Sequence, residues 1–172
     1  MILLRNYDID ISKLELGQHE FLFKIEDEFF ELFDYSLVKE GSLSAKVELE
    51  KSTSFMSLTF EISGFVVLIC DRSLDPFNYE LYVKKELVLK YGEEAREVSD
   101  EIEIIPSNAQ RVNVAKYLYE FISVSIPMKK LHPRYEDEPA ENQIIFSSGS
   151  GEKDKSDIDP RWSELKKLKN KK

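Results

Sequence analysis

The chain holds 172 residues, of which 42% are hydrophobic and 33% charged, enough for one core and too few for two of ordinary size. No apolar run approaches the roughly 18 uncharged residues of a membrane-spanning helix, and Met1-Ile2-Leu3-Leu4-Arg5-Asn6 is too short for a signal-peptide core, so the expectation is one soluble domain made without export and without a membrane partner. A single cysteine, Cys70, excludes an internal disulfide framework and a thiolate metal cluster within one chain, which fits a reducing cytoplasm.

The net charge of -9, from 24 basic and 33 acidic side chains, argues against a nucleic-acid footprint spread over the whole body. The charge is unevenly placed. Residues 161–172 carry Arg161, Lys166, Lys167, Lys169, Lys171 and Lys172 against Glu164 alone, a local +5, which leaves -14 on the rest.

Period-two alternation, the signature of strands with one buried face, runs through the first two-thirds of the chain. Tyr7, Ile9 and Ile11 alternate with Asp8, Asp10 and Ser12; His19, Phe21, Phe23 and Ile25 follow, and then Ala45, Val47 and Leu49. Met56, Leu58, Phe60 and Ile62 alternate with polar residues up to Gly64, which predicts a half-exposed strand. Residues 65–70 are apolar throughout, which predicts a second, central strand covered on both faces. A long or bent strand is expected from Tyr79 to Tyr91, ending at Gly92, and another over 102–105.

Helical spacing predicts two helices in the body. Ile25, Phe29, Phe30 and Phe33 place a short one over 26–35, with Glu26, Asp27 and Glu28 near its positive end. Val114, Leu118, Phe121 and Ile122 place the second, with Asn113 as N-cap and Pro127 as stop. Many strands with segregated helices predict an α+β fold: a mostly antiparallel sheet or partly closed barrel, with two packed helices and a flexible C-terminal tail carrying a short helix. The domain reading is a β-rich body over 1–132, an acidic, Ser/Gly-containing linker over 133–159, and a basic helix or tail over 160–172. In that tail Asp159-Pro160 reads as a helix start, with Pro160 at the first helical position, and Trp162, Leu165 and Leu168 share a face.

Catalytic patterns are scarce. The chain has no GxGxxG, no GxxxxGK(S/T), no GxSxG and no HExxH. His19 lies in phase with a strand's apolar face, His132 follows the second helix, and neither has sequence-near zinc ligands; structural roles are expected for both. Cys70 ends an apolar run, where free cysteine behaves as a small buried hydrophobe. Acid pairs such as Glu26/Asp27 and Glu93/Glu94 read as a solvated face. No catalytic residue, cofactor or metal is expected. One segment stands out: Cys70-Asp71-Arg72-Ser73-Leu74-Asp75-Pro76-Phe77, where a strand runs into a compact charged turn, in its plainest reading a hairpin connection in which Arg72 bridges the flanking carboxylates.

Residues 67–77 resemble the signature of the YceD-like proteins, the bacterial and plastid large ribosomal RNA subunit accumulation proteins, in which a hydrophobic strand leads into Cys-x-Arg-x-Leu. An acidic segment ending in an Ile-rich strand (102–105), a helix ending in Ile126-Pro127, and Asp159-Pro160-Arg161-Trp162-Ser163-Glu164-Leu165 follow in the family's order. The resemblance implies a role in large-subunit ribosomal RNA accumulation and assembly without established catalysis. It carries over Cys70, Arg72 and Leu74 from the first element and Asp159, Pro160, Arg161 and Leu165 from the second. Family members often add cysteines that suggest a metal site; this chain has none there, so no metal carries over.

The reading is a cytoplasmic, non-enzymatic factor whose acidic body bears a basic arm. Arg161, Trp162, Lys166, Lys167, Lys169, Lys171 and Lys172 are its candidate contacts to ribosomal RNA or a pre-ribosomal large subunit. The alternative is an acidic module that holds a basic, ribosomal-type protein without touching RNA. A Mg²⁺-dependent nuclease built on clustered carboxylates stands third.

Overall fold

A computed structural model describes residues 3–135. A 3-10 turn (Leu3–Tyr7) leads into β1 (Asp8–Ile9), a second 3-10 turn (Ile11–Lys13) and β2 (Gly17–Ile25). Then follow α1 (Asp27–Phe30), β3 (Gly41–Lys51), β4 (Phe55–Ile69), β5 (Pro76–Gly92), β6 (Arg96–Ser99), β7 (Ile102–Pro106), β8 (Val112–Asn113), α2 (Ala115–Ser125) and a last 3-10 turn, Pro133–Tyr135. Six strands form one sheet in the order β2-β3-β4-β5-β7-β6, antiparallel except for β5 with β7, and β1 pairs separately with β8. The architecture is α+β with an open, largely antiparallel sheet; the partly closed barrel is not formed, because β2 and β6 end as separate edges.

The alternation sorts side chains as the pleat requires. Leu43, Ala45, Val47 and Leu49 of β3, Met56, Leu58, Phe60 and Ile62 of β4, and Leu81, Val83, Leu87 and Leu89 of β5 are buried on one face. That face is closed by Ile9 and Ile11, by Phe29 and Phe30 of α1, and by Leu118 and Ile122 of α2. Aromatic rings join the layers: Phe60 meets Phe121 edge-on at 5.2 Å, and Phe33 stacks on Tyr119 at 4.0 Å. Each fully buried side chain of this size contributes about 1.5–3 kcal/mol of transfer free energy.

Four expectations are corrected. Residues 56–70 do not form two strands: β4 runs unbroken from Phe55 to Ile69 because Gly64, at φ +143°, keeps the ladder in step where β3 passes within 2.3 Å of the place a Cβ would take. Nor is its second half covered on both faces. Phe65 and Ile69 are 37% and 50% exposed, since the helices and the N-terminal segment lie on the opposite face. The strand expected over 7–11 is reduced to two residues between 3-10 turns. The helix expected over 26–35 stops at Phe30, and i→i-3 turns carry Phe33 onto Tyr119 while the Asp27 carboxylate accepts the Gly41 N–H at 2.8 Å and fixes the loop's return.

The second helix forms as the spacing predicts. The N-cap position falls on Val114 and not on the expected Asn113, because the Val114 carbonyl takes the first helical bond, from the Leu118 N–H. Asn113, one residue earlier, accepts the Ala115 N–H at 3.1 Å and donates to the Leu4 carbonyl and the Asp8 carboxylate, which ties the N-terminal segment to the helix start. Ile126 is extended ahead of Pro127, which ends the helix. Among the described residues no helix is long and apolar enough to cross a membrane.

Candidate functional site

The segment singled out in the sequence is the connection between the two longest strands. The Cys70 N–H donates to the Asp75 carbonyl at 2.9 Å, continuing the β4–β5 ladder by one step, and the Leu74 N–H returns to the Cys70 carbonyl at 2.9 Å. Closing so short a loop puts Leu74 in the left-handed region at φ +62°, with its side chain 75% exposed. A leucine there carries roughly 1–2 kcal/mol of local strain.

What holds the turn comes from about 60 residues away. The Asp71 N–H donates to the Lys130 carbonyl at 2.8 Å, the Lys130 N–H donates to the Asp71 carboxylate at 2.7 Å, and the Lys130 ammonium lies 3.6 Å from the same carboxylate. The His132 N–H donates to Cys70 Sγ at 3.3 Å, and the His132 ring packs 5.5 Å from Phe77. Arg134 pairs with the Asp75 carboxylate. The guanidinium carbons of Arg72 and Arg134 lie 4.5 and 4.9 Å from the centre of the Tyr135 ring, within cation–π range. Asp71 and Asp75 thus have cationic partners from the segment after α2 that the sequence reading did not name.

The electrostatics follow from these contacts. The Arg134 guanidinium holds the Asp75 carboxyl below the usual carboxylate range. Burial pushes the Cys70 thiol up, but the polar groups of the turn around it, together with the His132 N–H, outweigh burial and bring the thiol down to about 7. With no solvent-accessible surface, Cys70 is out of reach of a substrate; its sulfur serves as an internal acceptor that joins the turn to residue 132. The cations Arg72 and Arg134 and the Leu74 side chain are presented outward around it.

Elsewhere the body offers little chemistry. His19 is half-buried with Nε2 on the Glu15 carbonyl at 2.9 Å. Among the described residues no group of three or more His, Cys, Asp or Glu is arranged to hold a metal ion. An open concavity of about 640 Å³ on the outer face, lined by Phe65, Asn78, Glu80 and Tyr82 among others, contains one carboxylate and no histidine, cysteine or cation.

The structure brings Cys70, Arg72 and Leu74 together in the turn. Asp159, Pro160, Arg161, Trp162, Leu165, Lys166, Lys167, Lys169, Lys171 and Lys172 lie outside the described residues. Lys130, Arg134 and Tyr135 were missed by sequence reading, whereas His132 was read as structural and holds the turn through its backbone N–H and ring. Their only local signal is a run of hydrogen-bonding side chains directly after the helix stop.

Comparison with known protein families gives a match. The family model described as large ribosomal RNA subunit accumulation protein YceD matches residues 58–169, a span that takes in β4 from Leu58 onward, the turn, α2 and the basic C-terminal segment as far as Lys169. Neither the curated proteins nor the solved structures gave a match.

Proposed function

This chain belongs to the YceD family of large ribosomal RNA subunit accumulation proteins, and from that premise we propose that it is a non-enzymatic, cytoplasmic factor that supports large-subunit assembly by binding ribosomal RNA or a pre-ribosomal particle. The observation that carries the binding mode is the division of charge: -14 over residues 1–160 against +5 over 161–172. Lysines and arginines on a separate segment neutralise phosphates and release counterions, whereas the body repels RNA. The arm residues Arg161, Trp162, Lys166, Lys167, Lys169, Lys171 and Lys172 are the contacts in this reading, with Asp159, Pro160 and Leu165 completing the motif that presents them. The stretch after Tyr135, up to residue 159, serves as linker in this reading, because Arg134 and Tyr135 are held on the body, and the charged turn around Arg72 serves as a fixed landmark there.

Titration with a large-subunit RNA fragment tests the mechanism. If about four cations reach phosphates, the slope of roughly 0.7 per contact predicts an affinity loss near fifty-fold between about 50 and 200 mM salt. Replacing the five lysines from Lys166 to Lys172 with Gln is expected to abolish binding while the body still melts cooperatively. Binding that survives those changes, or that ignores salt, refutes the arm. Sedimentation of cell extracts tests the wider reading, which expects the protein with large-subunit precursors.

One observation favours the alternative of an acidic module for a basic protein. Asp27, Glu31, Asp34 and Glu40, against Lys39 alone, rim an open concavity of about 570 Å³ floored by Phe30, Phe33 and Val38, with Tyr35 fully exposed at its lip. Co-purification of one basic ribosomal protein that persists after ribonuclease treatment selects this reading.

A further inference from the structure

The two edges of the sheet differ. β6 is four residues long and irregular between Glu97 and Ser99, the kind of short, bulged edge that resists pairing. β2 is nine residues long, contains no proline, and pairs with β3 in unbroken register.

The direction of the β2 backbone groups follows from the ladder. The Val67 N–H donates to the Glu40 carbonyl at 2.8 Å, so the even-numbered residues of β3 bond to β4 and its odd-numbered residues bond to β2. In the observed register the odd residues of β2 therefore face β3, and Gln18, Glu20, Leu22 and Lys24 direct their N–H and C=O groups away from the sheet. The Lys24 carbonyl accepts the Tyr7 hydroxyl at 2.9 Å, using one of its two lone pairs. Among the described residues no hydrogen bond reaches the outward backbone groups of Gln18, Glu20 or Leu22. Leu22 is 71% exposed in the middle of this row.

We propose that β2 is the seam of a two-fold homodimer in which the β2 strands of two copies pair antiparallel about Leu22. The sequence is self-complementary in that register and in no neighbouring one. With Leu22 opposite Leu22 of the second copy, Glu20 falls opposite Lys24 twice. On the helix-covered face the half-buried Phe21 falls opposite Phe23, and His19 opposite Ile25. The nearest registers that keep the outward groups paired place Leu22 against Glu20 or against Lys24, so both lose the apolar pair. Cross-strand pairs of opposite charge and of aromatic rings stabilise a sheet, and like charges directly opposite disrupt it. The result is a continuous twelve-stranded sheet whose buried layer passes from one copy to the other.

Sedimentation of the full chain, alone and in charge-exchanged form, tests this. The wild-type chain is expected to dimerise at micromolar concentration. Glu20→Lys places Lys against Lys, Lys24→Glu places Glu against Glu, and each is expected to weaken association on the order of tenfold or more because the pair occurs twice. Mixing the two singly substituted proteins restores complementarity at both positions and is expected to recover the dimer, as is the double exchange within one chain. Circular dichroism of each variant establishes that the fold is retained. A wild-type chain that stays monomeric up to about 100 μM, a dimer indifferent to either single exchange, or variants that do not recover association when mixed would each overturn the proposal.

Discussion

The backbone N–H of His132 donates to the sulfur of Cys70 across 3.3 Å, joining the turn after β4 to a segment 62 positions further along the chain. Cys70→Ala leaves that N–H without its acceptor inside the protein, and the melting temperature is expected to fall by several degrees. The pH dependence has a definite sign. The folded thiol, at about 7, lies below its ordinary value of 9.0, so its contribution is complete above the ordinary value and is lost as pH falls through about 7. The gap between wild type and Cys70→Ala is therefore expected to widen from neutral to alkaline pH in paired thermal melts. A thiol reagent should label the wild-type chain only after unfolding, because the sulfur has no accessible surface.

Arg134→Gln removes the cation that depresses the Asp75 carboxyl. Carbon-detected NMR titration should show Asp75 returning upward to the ordinary carboxylate range, with little change in the melt at neutral pH because the pair is exposed. The stability that does attach to this pair is present above the ordinary carboxylate range and disappears as pH falls through the lowered value.

Gly64→Ala is expected to destabilise the protein by about 3 kcal/mol or more, since a methyl group would meet the Ser42 carbonyl oxygen and Leu43 Cα at a residue already at φ +143°. Urea unfolding reads the loss. Gly17→Ala separates the two causes: its φ is +126° but nothing lies within 4 Å of the added methyl, so a smaller loss is expected there.

Tyr117→Phe tests the hydrogen bond from the Tyr117 hydroxyl to Glu103 Oε2, 2.6 Å long and partly buried. Its loss is expected to cost about 1–2 kcal/mol in urea unfolding. Burial first, and then the Glu103 contact, pushes the Tyr117 phenol above its ordinary value of 10.0. The protonated phenol therefore stabilises the fold fully below that value, and the benefit is lost as pH rises toward the folded value. Tyr117→Phe should accordingly be less sensitive to strongly alkaline pH than wild type.

The faces of the large sheet were legible in the sequence because period two leaves no other choice for Ala45, Val47, Leu49 or for Met56 to Ile62. Each sits on the helix-covered side. What failed to show had no periodicity to show: β8 is two residues long and β6 carries exposed, mostly polar side chains, whereas the alternation over 7–11 promised a longer strand than the two residues of β1. The apolar run from Phe65 to Ile69 misled for a different reason. Composition reports that side chains tolerate burial, not that a second layer exists to bury them. At the turn, Cys70 and Arg72 stood out through their family pattern. Lys130 and Arg134 did not, because contacts made across 59 residues leave no trace in local spacing.

The pairing of Asp8 with Asn113 bears on the order in which the chain folds. The run from β2 through β5 is built from neighbours and can zip up as each hairpin is completed, at the small entropic cost of short loops. The N-terminal segment cannot join it on those terms, since its strand partner lies 105 residues away and its carbonyl at Tyr7 waits for the N–H of Val114. While the chain is being synthesised, Ile9, buried at the end, has no strand partner until Val112 has been made. A contact that spans 105 residues therefore seals the floor of the core, and the side chains it covers stay unprotected until that span has been made.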